Sequence, residues 1–181
     1  PSLKTGLLTS FIDLAKNKIN FNANIGMWDT DAVVDMESTF EGAEIFDQDI
    51  GGWGTSSVTK MKNMFKGTHH FNHNVEDWDT KNVEDMEGMF QDAVAFNQDL
   101  SSWDLRKVKI ATKMFDGAKV FDGVLPNMPV LTHVKGMFSH TSYTRDISHL
   151  TFPKMTREWV YANTTNWYTR AVWNYRLKDV L

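Results

Sequence analysis

The chain has 181 residues, 41% hydrophobic and 23% charged, with a formal net charge of −4. That balance excludes a disordered chain, and a mildly acidic protein has no cationic surplus with which to displace counterions from nucleic acid. No cysteine is present, which excludes thiolate chemistry and cysteine-ligated zinc, and no apolar run approaches the length of a membrane span.

Residues 2–19 carry Leu7, Phe11 and Leu14 on one stripe and Leu8, Ile12 and Ala15 on the next. This spacing predicts an amphipathic helix, so residues 1–20 are expected to form an N-terminal helical cap. The opening Pro1-Ser2 suits either removal of an initiator methionine or a processed start, and no signal peptide is expected.

A fixed period of 25 residues follows. Phe21, Phe46, Phe71, Phe96 and Phe121 keep that step, as do Trp28, Trp53, Trp78 and Trp103. Phe40, Phe65, Phe90 and Phe115 form a third column, and Val33, Val58, Val83 and Val108 a fourth. Ile25, Ile50, Val75 and Leu100 form another, and Met64, Met89 and Met114 one more. The period then loosens: Met137-Phe138 follows Met114-Phe115 after 23 residues, and Leu150 stands where a tryptophan is expected. Repeats are therefore placed over 21–156, about six in number, with an atypical last unit.

Within a unit, Met61, Met64, Phe65 and Thr68 lie at i, i+3, i+4 and i+7, which predicts a short helix stopped at Gly67. Asp49-Ile50-Gly51-Gly52-Trp53 reads as a short strand. Asp29, Asp79 and Asp104 follow the tryptophans, where a carboxylate closes a turn on backbone amides. The fold class expected is an α/β repeat, a leucine-rich-repeat-like solenoid of strand–turn–short-helix coils with helical caps. The periodic aromatics are expected in its core.

Several patterns suggest chemistry and have a plainer explanation. The column Asn22, Asp47, Asn72, Asn97 and Asp122, with Asp49 and Asp99, has oxygen ligands for calcium, but a ladder capping turn amides accounts for it better. His69, His70 and His73 flank the core residue Phe71 and read as a solvated turn rather than a metal site. The acidic run Glu76, Asp77, Asp79, Glu84, Asp85 and Glu87 reads as a solvated face. Thr30, Thr55 and Thr80 stack at the repeat period, too few for an ice-binding face. Asn163-Thr164-Thr165 is a glycosylation sequon of low specificity. No catalytic residue, metal or cofactor is expected.

The segment 157–181 breaks the period and concentrates Trp159, Tyr161, Trp167, Tyr168, Arg170, Trp173, Tyr175 and Arg176. Two readings stay open: an aromatic-rich C-terminal cap, or a docking segment, since Trp, Tyr and Arg are enriched in binding hot spots.

The stretch from Phe96 to Asp104, FNQDLSSWD, and that from Trp78 to Phe90, WDTKNVEDMEGMF, resemble the BspA-like leucine-rich-repeat surface protein family, with its mycoplasma-type FNQDLSSWDTSNVTDMSGMF unit. The resemblance covers 21–156. It implies a solenoid with a parallel sheet on one face, and a role at the surface of cells or virus particles without catalysis. The chain departs from the family in its degenerate sixth repeat, in lacking a lipoprotein signal and in its short array, which favours a compact assembly component. The expected function is a non-enzymatic structural or protein-interaction module of a larger surface, virion or tail assembly, with protein partners. The alternative is an adhesin that binds a host receptor or glycan through the solenoid face. A virion or cell-surface, extracellular location is expected, with no nucleic acid and no membrane span.

Overall fold

A computed structural model describes residues 8–147 and residue 150. These residues form six successive coils: 8–32, 33–57, 58–82, 83–107, 108–130 and 131–150. Each coil lies against the next, and parallel β-bridges link Ser10, Asp35, Lys60, Asp85, Ile110 and His133 in a single column.

The α/β expectation is overturned. Among the described residues there is no helix, and the only strand-like pairing is that column of isolated bridges. No sheet forms, so neither a leucine-rich-repeat-like solenoid nor a helical N-terminal cap describes the chain. Residues 8–20 are instead the first part of coil one, and Ser10 pairs with Asp35. The segment 49–53, read as a strand, turns at Gly51: its N–H donates to Asp49 Oδ1 (3.0 Å), and the Trp53 N–H donates to the Ile50 carbonyl (3.1 Å). The C-terminal cap reading falls on 157–181, outside the described residues.

The backbone shows why helix and strand both fail. An α-helix directs every N–H to the carbonyl four residues back. Here the N–H groups of Met61, Asn63, Phe65 and Gly67 donate to the carbonyls of Asp85, Glu87, Met89 and Gln91 in the next coil, at 2.8–2.9 Å. The intervening N–H groups of Met64, Lys66 and Thr68 close tight turns on Met61, Asn63 and Phe65. The same four-bond row recurs at all five junctions, from Phe11→Asp35 to Gly117→Ser139. Successive tight turns bring positions i, i+3, i+4 and i+7 inward, as a helix would. The apolar spacing was therefore real, and the element it implied was wrong.

Two left-handed residues per coil, four apart, enforce this path. The first column is Asp13, Ser38, Asn63, Gly88, Lys113 and Gly136; the second is Asn17, Gly42, Gly67, Asp92, Gly117 and His140. All have φ between 52° and 75°. A side chain in that region costs roughly 1–2 kcal/mol, less for Asn and Asp, and nothing extra for Gly. Nine of the twelve positions are Gly, Asn or Asp, so the sequence largely avoids the cost. Lys113 does not.

The core is aromatic. Phe40, Phe65, Phe90, Phe115 and Phe138 stack at 5.5–5.7 Å between ring centroids. Phe46, Phe71, Phe96, Phe121 and Tyr143 form a parallel column at 5.6–6.1 Å. Within each coil the two columns touch, as at Phe90–Phe96 (3.9 Å). Trp53, Trp78 and Trp103 are buried, and each indole N–H donates to a carbonyl 28 residues earlier, those of Ile25, Ile50 and Val75. Met128 and Leu150 occupy the tryptophan position in coils five and six, both buried.

Trp53→Ala removes a buried ring and its indole hydrogen bond, and is expected to cost about 3–5 kcal/mol; an unchanged denaturation curve would count against its place in the core. Lys113→Gly relieves the left-handed strain at the expense of a looser unfolded chain, for a net gain of about 1 kcal/mol. Thermal unfolding should show this as a rise of about 2–4 °C. Gly42→Ala should shift the melt the other way, because its Cβ would lie 2.8 Å from Asn17 Oδ1 at a φ of +71°.

Candidate functional site

The residues predicted to dock a partner, Trp159, Tyr161, Trp167, Tyr168, Arg170, Trp173, Tyr175 and Arg176, lie outside the described residues. What the described coils offer is their outer surface.

Some of that surface is committed to holding the coils together. Asn22, Asp47, Asn72, Asn97 and Asp122 form the expected ladder. Each side-chain Oδ1 accepts the backbone N–H one coil on: Asp47 to Asn22, Asn72 to Asp47, Asn97 to Asn72, Asp122 to Asn97 and Thr144 to Asp122. The Asp79 and Asp104 carboxylates close the turns expected of them, accepting the N–H of Lys81 and Arg106. Thr30, Thr55 and Thr80 are buried, and their hydroxyls donate to the carbonyls of Gly54, Asp79 and Asp104, so they present no ice-like face.

The histidines disperse instead of converging. His73 reaches the Asp47 carbonyl (3.0 Å), while His69 lies 3.9 Å from Glu44. Among the described residues no group of three or more His, Asp or Glu side chains is placed to hold a metal ion. The acidic run divides into separate pairs, Glu84 with Lys109 (2.6 Å) and Glu87 with Lys62 (3.3 Å).

The described surface includes two shallow grooves. One, of about 460 Å³, crosses coils one to five along the second left-handed column, floored by Gly42 and Gly67 and edged by His69, Val94 and Lys119. Glycine is what opens it, because a side chain at Gly42 would fill the space beside Asn17. Glu41 lines it, held between Lys16 (3.4 Å) and Lys66 (3.0 Å), and accepts from the Ser38 hydroxyl (2.8 Å). Partial burial pushes the Glu41 carboxyl upward, but the Ser38 and Lys66 hydrogen bonds outweigh it and the net shift is downward. The sequence signal for this groove was the Asn17, Gly42, Gly67, Asp92, Gly117 column. It is invisible while Gly67 is read as a helix stop.

The second groove, about 490 Å³, is lined by Lys81, Asn82, Asp104, Arg106 and Lys107. Arg106 holds Asp104 in a two-pronged contact, Nε to Oδ1 (2.9 Å) and Nη2 to Oδ2 (2.6 Å). Both grooves are open, and each holds an ion pair, Glu41–Lys66 in the first and Asp104–Arg106 in the second.

The model of a family described as "Mycoplasma protein of unknown function, DUF285" matches residues 5–128, more than half of the chain. The chain belongs to this family. No curated protein and no solved structure matches it. For this DUF285 member the family match runs from the first coil almost through the fifth. Among the described residues no helix is long and apolar enough to cross a membrane.

The hydrogen bond from Arg106 holds the Asp104 carboxyl down from 3.8 to about 2. A group lowered in this way stabilises the fold fully above its ordinary value, and that contribution fades as pH falls through about 2. Carboxyl-detected NMR titration should find the Asp104 midpoint near 2, and Arg106→Ala should return it toward 3.8.

Proposed function

We propose that the chain is a non-enzymatic structural or protein-interaction module, a component of a larger surface, virion or tail assembly, and a repeat protein of the BspA-like kind. The observation that carries this reading is the allocation of side chains in the stack. The periodic aromatics of coils two to six are spent inside, and the grooves outside are shallow, with the Glu41 and Asp104 carboxylates already paired to lysine and arginine. Hydrolytic or transfer chemistry needs convergent titratable groups screened from water, whereas a regular ladder of exposed polar groups favours contact over a broad face. The protein partners in this reading engage the outer faces of the coils and the aromatic-basic segment 157–181.

Two measurements test the proposal together. Antibody raised against the coils is expected to label intact, unpermeabilised cells or purified particles; label that appears only after permeabilisation overturns the surface location. Deleting 157–181 is expected to leave the coils folded and to release the protein from the cell-surface or particle fraction. Full retention of a folded, truncated chain would show that 157–181 does not dock a partner.

A further inference from the structure

Sulfur in this chain is confined to methionine. There are ten methionines and no cysteine, so no thiol competes with them for an oxidant. The described methionines fall into two classes. Eight of them, from Met36 to Met137, are 0% exposed, whereas Met27 is 73% exposed. Met155 lies outside the described residues.

Met27 sits at the tip of the turn between Ile25 and Trp28, which the Trp28 N–H closes on the Ile25 carbonyl (3.0 Å). The same backbone bond closes the turn in the next three coils, Trp53 on Ile50, Trp78 on Val75 and Trp103 on Leu100. The residue at the tip there is Gly52, Asp77 or Ser102, and all three are exposed. A Cβ added at Gly52 would meet nothing within 4 Å. The tip therefore takes a polar side chain, or none, and the turn does not depend on which.

We propose that Met27 is an oxidation site of the folded chain, one that takes an oxygen atom from a hydroperoxide without disturbing the stack. In this step a lone pair on Met27 Sδ attacks a peroxide oxygen and the O–O bond breaks as the S–O bond forms. With hydrogen peroxide the other oxygen leaves as water; sulfur is oxidised and the peroxide is reduced. The product carries a polar S=O at a position that Asp77 and Ser102 fill elsewhere. The eight buried methionines differ on both counts. Aqueous peroxide does not reach them in the closed fold, and a sulfoxide there would bring an unpaired acceptor into an aromatic core. Return to the thioether needs a sulfoxide reductase and external thiols, because the chain supplies none. The inference is independent of where the protein resides and of what it binds.

The test treats the full chain with dilute hydrogen peroxide at neutral pH and follows each methionine separately by peptide mass mapping. Met27 is expected to gain one oxygen about tenfold or more faster than any of the eight buried methionines, and in denaturant all nine are expected to react at similar rates. Chain oxidised at Met27 should keep the thermal midpoint of the untreated protein, as should Met27→Leu, and a methionine sulfoxide reductase with thiol should return Met27 to its original mass. Buried methionines that oxidise as fast as Met27 in the folded chain, a rate difference that persists in denaturant, or a melt lowered by oxidation at Met27 would each overturn the inference.

Discussion

Alternate peptide groups in each coil face the neighbouring coil instead of the neighbouring turn, and the rest of the architecture depends on that choice. Twenty N–H groups, four at each of five junctions, donate to carbonyls one coil further along the chain. A buried backbone group left unpaired costs about as much as a lost hydrogen bond, so a coil with no regular secondary structure must find its partners elsewhere. It finds them in the next copy of itself. The arrangement works only where the chain can turn left-handed twice per coil, which is why Gly, Asn and Asp recur at those positions.

A second ladder runs the opposite way at the bridge column. Val34, Thr59, Glu84, Lys109 and Thr132 donate back to the carbonyls of Thr9, Val34, Thr59, Glu84 and Lys109. Opposed ladders fix the register between coils, because a slip of one residue would break both. That register brings identical residues into contact and turns a sequence period into continuous columns of rings. Each Phe touches its counterparts above and below and a second Phe in its own coil, so a single aromatic side chain serves three contacts. Offset stacking at these separations adds about 0.5–1.5 kcal/mol per pair beyond area burial, and in a stack each ring contributes to several pairs.

The period, the inward columns and the Asx ladder were legible in the sequence, because repetition places identical residues in identical surroundings. Phe46, Trp53, Val58 and Phe65 are all buried where the columns put them. The secondary structure was not legible. Met61, Met64, Phe65 and Thr68 carry a helix-like spacing, and spacing alone does not say whether an N–H seeks a carbonyl in its own turn or in another coil. The left-handed pair at Asn63 and Gly67 carried that information, but Gly67 was read as a helix stop. Coil one was misread for a related reason: its exposed Ile12 and Leu14 completed an amphipathic stripe with Phe11 and Ala15, and burial of all of them on one helix face looked more economical than leaving two in water. The groove around Glu41 follows from the same left-handed column and became visible only once the coils were stacked.

The two ends of such a stack are chemically different, because the four-bond row has a direction. Its first coil presents carbonyls and its last coil presents N–H groups to whatever lies beyond. A carbonyl at the edge keeps its hydration and loses little by remaining wet, so the backbone of coil one does not itself demand a further coil. The aliphatic side chains are another matter. An exposed Ile or Met gains roughly 1.5–3 kcal/mol when fully covered, and Ile12, Ile19 and Met27 of coil one stand at positions whose equivalents in other coils are mostly polar. The pressure to cover coil one therefore comes from side chains that depart from the repeat, and residues defined by departure from the repeat are ones that the coils themselves do not need for folding.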